Sequence, residues 1–353
     1  MSSEADILVG QVPDLPSPAR MTSFSVRFRP TGPWRFGPDT GARDRVDLIY
    51  HSDAVFSAVY SAMSQLGMAE EWLNATARST DAPAVRFSSF YPFHGKTLLA
   101  VPPRNLWPPA DSAKVRYKGA RFVPLHVIES LLAEKGIDEN RWAVDGESKC
   151  LVPHDGHRTP FRISLRSNSA VDRLDASRQD THATACLEFA RDAGLWTIVQ
   201  FSDEDAVQKW QAPVRSAFQL LADSGFGGER SRGWGRSETP EWEPWQAPSA
   251  EPSAEPAEQA QWLLSLYLPA TDDQVDWKRG SYSTVNRTGR IESPTRWGEP
   301  KRQTLMIAEG SVLVAGSVGL RGTVQDIAPE GFPHPVYRSG LAVSVPIPWR
   351  VAA

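Results

Sequence analysis

Five glycines and three arginines fall within twelve residues at Gly225-Phe-Gly-Gly-Glu-Arg-Ser-Arg-Gly-Trp-Gly-Arg236. Glycine has no Cβ, so Gly225, Gly227, Gly228, Gly233 and Gly235 could bring backbone N–H groups close to an anion. Arg230, Arg232 and Arg236, with the Ser231 hydroxyl, would add charge-assisted forks to phosphate oxygens. A nucleotide-binding P-loop or dinucleotide fingerprint must follow a strand and open a helix. This run follows a helical pattern and has no Gly-Lys-Ser/Thr, so both nucleotide readings fail. A plain glycine-rich turn with outward arginines fits the spacing equally well.

The second candidate is Ile49-Tyr-His-Ser-Asp-Ala-Val-Phe56. His51 beside Ser52 and Asp53 suggests catalysis, but a base and its nucleophile rarely adjoin in sequence. Ser52-Asp53 reads first as a helix cap. Phosphate contact by His51 and Ser52 at the helix N-terminus comes second, and catalysis a distant third. His154-Asp155 is half of a phosphohydrolase metal pair without further ligands at usable spacing. Gly-x-Ser-x-Gly, HExxH and CxxC are absent. No catalytic residue, metal site or cofactor is expected.

Two arginine-rich segments complete the candidates. Arg158–Arg178 has five Arg against two Asp, and Trp277–Arg302 has seven basic and two acidic residues with Tyr282, Asn286 and Trp297 interleaved. Such mixtures suit backbone tracking and base stacking on single-stranded nucleic acid. A solvated loop is the bland alternative.

The elements that must position these residues follow from periodicity. Phe24, Val26 and Phe28 alternate as in a strand. A helix is predicted from an Ser52 cap to about Leu66, with Val55, Val59, Ala62 and Leu66 as its apolar stripe. Strands at Ala84–Phe90 and Lys96–Val101 and a helix near Leu125–Lys135 give a β-α-β-β-α order, close to a ferredoxin or RRM-like fold. Strands at Ala183–Ala190 and Trp196–Phe201 and a helix over Glu204–Ser224, interrupted at Pro213, repeat the logic less cleanly. Further strands are expected at Gln261–Leu268, Leu305–Ile307, Ser311–Gly316 and Ala342–Pro346. The division is a flexible tail over 1–20, one domain over 21–150 and a second over 151–353. Residues 237–261 carry six Glu and no Lys or Arg, and read as a flexible acidic linker.

Composition sets the outer bounds. The 353 residues are 41% hydrophobic, enough for two domains with a buried core. The net charge of −4 argues against a nucleic-acid partner only until the acidic segment is set aside, which leaves +2. Thirty of the 38 basic residues are Arg, the better partner for phosphate forks and base stacking. No apolar run reaches the roughly eighteen residues of a membrane span, and residues 1–20 lack a signal-peptide pattern. Two cysteines cannot form a disulfide framework. Cytoplasm, with no membrane partner, is expected.

A family resemblance ties several features together. His51–Ala58, Ser88–Phe93, Val171–Arg173, Gly225–Gly235 and His334–Gly340 occur in an order that resembles the RAMP superfamily of CRISPR proteins. Within it, the chain over residues 21–348 is similar to the handle-capping subunits of type III-A effector complexes. The resemblance implies an α+β protein with two ferredoxin-like (RRM-like) domains packed together, the glycine-rich loop and a protruding hairpin. It implies a non-catalytic subunit that holds the 5′ handle of the guide RNA (crRNA). Docking to the large polymerase-like subunit and to the repeated backbone RAMP subunit is implied as well. Arg173 and the glycine-loop positions match the family's RNA-contacting motifs. The tail and the acidic segment depart from the pattern. Alternatives are a RAMP endoribonuclease using His51 as base, the equivalent type III-B subunit, or a protein-only scaffold.

Overall fold

The computed structural model describes residues 21–38, 40–109, 117–155, 159–171, 179–248, 258–292, 297–316 and 319–350. The first half runs β1 (Thr22–Phe28), α1 (Ser52–Gln65), α2 (Ala69–Ala75), β2 (Val85–Phe87), β3 (Tyr91–His94), β4 (Thr97–Ala100), β5 (Val123–Pro124) and α3 (Leu125–Leu132). Then come β6 (Trp142–Val144), β7 (Leu151–Pro153), β8 (Phe161–Val171), β9 (Gln179–Phe189), β10 (Ala193–Phe201), α4 (Glu204–Ser224) and β11 (Glu241–Pro244). The remainder is β12 (Gln259–Leu263), β13 (Val275–Ser281), β14 (Thr284–Arg287), β15 (Arg290–Glu292), β16 (Trp297–Pro300), β17 (Thr304–Ile307), β18 (Val312–Ala315), β19 (Val324–Asp326), β20 (Tyr337–Ser339) and β21 (Ser344–Pro348).

The larger sheet has the order β11-β1-β10-β3-β4-β5, with β2 also paired to β10. Its pairings are antiparallel, from Thr22↔Phe201 to Phe28↔Leu195 along β1 and β10. In chain order β1, α1, β2–β3, β10, α4 and β11 form a β-α-β-β-α-β pattern whose strands lie fourth, first, third, second. Residues 95–192 are an insertion between its second and third strands. The sheet therefore crosses the expected boundary at residue 150. A second correction concerns the C-terminal region, whose main sheet is β13-β18-β12-β21. Among the described residues it contains no helix after Arg232, so no helix of a second ferredoxin-like unit lies among them. The elements expected there, β10 and α4, belong instead with the larger sheet. Apolar periodicity identifies a strand but not its partner.

Packing decides two local outcomes against propensity. α4 runs unbroken through Pro213, although proline costs a helix interior about 3 kcal/mol. Trp210, Val214, Phe218 and Leu221 bury one face of it on both sides of that residue. Asp203 caps its start by accepting from the Ala206 N–H at 2.7 Å. In α1, Val55, Val59 and Ala62 are buried as expected, whereas Leu66 lies beyond the last turn and is 41% exposed. Gly67 follows with φ +76° and stops the helix.

The acidic segment is also corrected. Glu241–Pro244 is an edge strand on β1, with Glu243 on Arg27 and Glu241 on Arg29, each at 3.0 Å. Trp242 packs on Phe24 and Phe218 at ring distances of 6.0 and 5.6 Å, with the Arg215 guanidinium 4.7 Å above it. Low complexity hid a strand whose ion partners lie more than two hundred residues earlier. Trp242→Ala is expected to lower unfolding free energy by about 2 kcal/mol, below the value for a fully buried Trp. Chemical denaturation checks this, and an unchanged midpoint would mean the strand is not docked in solution. Residues 249–257 and the tail over 1–20 lie outside the described residues.

β8 and β9 pair along their whole length, from Phe161↔Phe189 to Val171↔Gln179. This eleven-residue ribbon is on the order of 35 Å long. Its base is tied to the loop after β1 by a Trp34↔Leu187 bridge and by the Ala185 N–H on Arg43 O at 2.8 Å. One apolar core runs through the molecule, from Val26 and Phe28 to Trp262, Val312 and Ile347.

Candidate nucleic-acid interface

The glycine loop begins where α4 ends, at Gly225 with φ +83°. Phe226 then turns inward, its ring 4.7 Å from Trp34 and 5.2 Å from Tyr50. The chain doubles back at Gly235, and the Phe226 N–H donates to Gly235 O at 3.3 Å. A Cβ on Gly225 would lie 2.4 Å from Trp234 O, and one on Gly235 would lie 2.1 Å from Phe226 O. Both glycines are required by this neck. At the tip, Arg230–Arg232 form a 3-10 turn between left-handed Glu229 (φ 61°) and Gly233 (φ 78°).

The expected cradle of glycine N–H groups is not formed. Gly225 N–H donates to Leu221 O, Gly228 to Arg35 O, Gly233 to Arg230 O and Gly235 to Pro33 O. Gly227 makes another close approach, with a Cβ position 2.5 Å from Arg35 O. These glycines serve the loop's own turns. Arg230, Ser231, Arg232 and Arg236 are exposed, and Arg232 meets Glu229 at 3.1 Å. The arginines, not the backbone, face outward.

Arg35 went unnoticed in the sequence because it stands in a Gly/Pro-rich loop without periodicity. Its side chain is buried and donates to the carbonyls of Ala42 (2.8 Å), Arg43 (3.0 Å), Arg45 (2.9 Å) and Ala185 (2.8 Å). Burial lowers its pKa, opposed by the nearby charge of Glu229. Across the ribbon base, Glu188 accepts from Arg162 at 2.8 Å and also pairs with Arg166. Hydrogen bonding by Arg162 leads the effects that bring this carboxyl down to about 2.

His51 and Ser52 occupy a different place from the phosphate site expected of them. His51 is buried, with Nδ1 2.7 Å from Glu309 Oε1 and Nε2 3.2 Å from Asp47 Oδ2. Burial alone would push the imidazole down, but Glu309 and Asp47 outweigh it and raise His51 to about 9. Glu309 also accepts from the Ser89 hydroxyl, and Arg121 reaches Asp47 at 3.4 Å. Ser52 is the first residue of α1 and not its cap, which is His51. The Ser52 hydroxyl accepts from Leu266 N–H at 3.0 Å, while its own N–H donates to Ser89 Oγ at 2.9 Å.

Asp53 is buried and meets Arg287 through two contacts of 3.0 and 3.1 Å. Arg338 approaches at 3.5 Å and holds Thr288 O at 2.6 Å. Burial pushes the Asp53 carboxyl up, yet the Arg287 charge holds it below its ordinary range. Side chains far apart in sequence thus join the start of α1 to the C-terminal sheets. This is an interior charge network, and sequence spacing gave no sign of Glu309, Arg287 or Arg338.

Arg173 lies outside the described residues. In the other basic segment, Trp277 and Tyr282 are both 39% exposed and meet edge-on at 5.4 Å. Among the described residues no group of three or more His, Cys, Asp or Glu side chains could hold a metal ion, and no helix is long and apolar enough to cross a membrane.

Residues 256–347 match the family model of the CRISPR Csm4 C-terminal domain. No curated protein matches the chain. A chain in the crystal structure of the Csm3-Csm4 subcomplex of the type III-A CRISPR-Cas interference complex aligns with TM-score 0.61 at 17% identity. That alignment covers 93% of this chain and 99% of the other. Chains of the Csm1-Csm4 cassette in complex with cA4 and with pppApA align with TM-scores of 0.56 and 0.54, each at 18% identity. Both cover 94% of this chain and 98% of theirs. At such identities the likeness is one of fold, and it extends over nearly the full length. Residues 256–347 thus match the Csm4 C-terminal domain, within a body whose fold is similar to that of chains in the Csm3-Csm4 subcomplex and the Csm1-Csm4 cassette.

Proposed function

We propose that this protein is the non-catalytic guide-RNA-binding subunit of a type III-A CRISPR effector complex in the cytoplasm. It holds the crRNA 5′ handle and joins the large polymerase-like subunit to the repeated backbone subunit. The observation that carries the reading is the set of exposed arginines, Arg230, Arg232 and Arg236, on a loop whose neck is fixed by Phe226, Gly225 and Gly235. A rigid loop loses little conformational freedom when its guanidinium groups meet phosphates. The fold is that of chains assembled with Csm1 and with Csm3, which supports the two protein partners. The strand order of the first sheet supports a ferredoxin-like (RRM-like) unit there. Both ring nitrogens of His51 are engaged by carboxylates, so it is poorly placed as the base of a ribonuclease.

Binding of handle-bearing single-stranded RNA across a salt series tests this. Replacing Arg230, Arg232 or Arg236 by Ala should weaken RNAs of different sequence by similar factors. Each lost phosphate contact should flatten the log–log salt slope by about 0.7. Gly233→Val keeps the charge but strains a left-handed position with open space around it. It should lose affinity while nearly keeping the slope. The RNA should remain intact on a gel, and co-purification with the large and backbone subunits checks the joining role. If no loop variant alters handle affinity in a folded protein, the loop is only a turn.

A further inference from the structure

Arg35 is a cation buried against backbone carbonyls. Burying a charge is costly unless hydrogen bonds replace its water, and here four carbonyls on two separate segments do so. Ala42, Arg43 and Arg45 form one exposed loop, Ala185 belongs to β9, and the Arg35 carbonyl accepts from Gly228 N–H at 2.8 Å. The Gly228 Cβ position is 3.2 Å from Arg35 Cδ, so the glycine loop rests on the arginine stem. One side chain therefore sets the 42–45 loop against the glycine loop. Arg43 and Arg45 are exposed, and among the described residues neither side chain makes a hydrogen bond or ion pair. With Arg230 and Arg232 they place four arginines on two adjoining loops, against Asp44 and Glu229.

We propose that Arg43 and Arg45 form a second phosphate-binding edge, held beside the glycine loop by the buried Arg35, so that one single-stranded RNA backbone crosses both loops. This rests on the reading of the glycine loop as an RNA contact. Arg35 is a positioning residue in it and touches no RNA.

The test uses the full chain and a labelled single-stranded RNA of mixed sequence, titrated at several salt concentrations, with melting curves for every variant. Arg43→Ala/Arg45→Ala should flatten the salt slope by about 1.4, two contacts' worth, with unchanged melting. The corresponding double Lys variant should restore most of the slope. Arg35→Gln, measured below its melting transition, should flatten the slope as much as the double Ala variant. Added to that variant, it should flatten it no further, the non-additivity expected of a residue acting through the other two.

An unchanged slope in Arg43→Ala/Arg45→Ala, with the glycine-loop variants still flattening theirs, overturns the second edge and leaves the first reading standing. That holds too if the double variant loses only co-purification with a partner protein. If neither loop alters the slope, both readings fall. An effect of Arg35→Gln that adds to the double variant overturns the positioning role. Should Arg35→Gln fail to fold, the Ala and Lys variants still decide whether the edge exists.

Discussion

Asp53→Ala is expected to lower unfolding free energy by about 3–5 kcal/mol, the range for removing one partner from a buried ion pair. Two guanidinium groups depend on this carboxylate. Arg287 and Arg338 have side chains only 12% and 4% exposed, facing an Asp53 side chain of 6%. Without Asp53 they repel each other in a region poor in water. Arg338 would still reach the carbonyls of Arg287 and Thr288, but those dipoles do not neutralise two cations. Shape matters less than charge here, so Asp53→Asn should also lose most of the stability despite its similar volume. Asp53→Leu combined with Arg287→Met should recover part of the loss, because an apolar pair avoids the desolvation cost. Urea denaturation at neutral pH measures all three. Wild-type stability in Asp53→Ala would mean that the two arginines reach solvent and that the network is not a joint between α1 and the C-terminal sheets.

How far these features could be read from sequence depended on the range of the interaction behind them. The bounds of α4 were legible because its apolar positions and the glycine run that follows them are local signals. The break expected at Pro213 did not occur, since tertiary burial of Trp210, Val214 and Phe218 outweighs a local penalty. The exposed arginines of the glycine loop were legible for the same local reason. The use of its amides was not, because their acceptors at Pro33 and Arg35 lie some two hundred residues away. β11 was hidden by its acidic, proline-rich composition, and became a strand only through Arg27, Arg29 and the rings around Trp242. His51-Ser52-Asp53 drew attention correctly as a cluster. Its partners, Glu309, Leu266, Arg287 and Arg338, are supplied by the last hundred residues, and pairing across that distance leaves no spacing pattern. That is why a helix cap, with phosphate contact as the second reading, was expected where the molecule has an interior joint.

The same joint should give the protein an alkaline limit. His51 has an ordinary value of 6.5 and is raised to about 9 in the fold. The folded state therefore holds this proton more tightly than the unfolded chain does. Its contribution is complete below pH 6.5 and is lost as pH rises through 9. A shift of that size corresponds to about 3 kcal/mol. Asp47, Asp53 and Glu309 are shifted the opposite way, held below their ordinary values despite burial, which alone would raise them. Their contribution is present above the ordinary carboxylate range and is lost in acid. Stability should thus be greatest between about pH 5 and 6.5 and should decline towards pH 9. In His51→Gln the decline over that alkaline window should disappear, while stability at pH 6 drops because Glu309 and Asp47 lose the cation between them. Loss of the slope separates removal of the proton site from a simple packing defect, which would lower stability by the same amount at every pH. Melting temperatures of both proteins from pH 5 to 9.5 at constant ionic strength measure this. A wild-type curve that stays flat from pH 6.5 to 9 would mean that His51 is neutral in the fold and that the buried carboxylates draw their compensation from Arg121 and Arg287 alone.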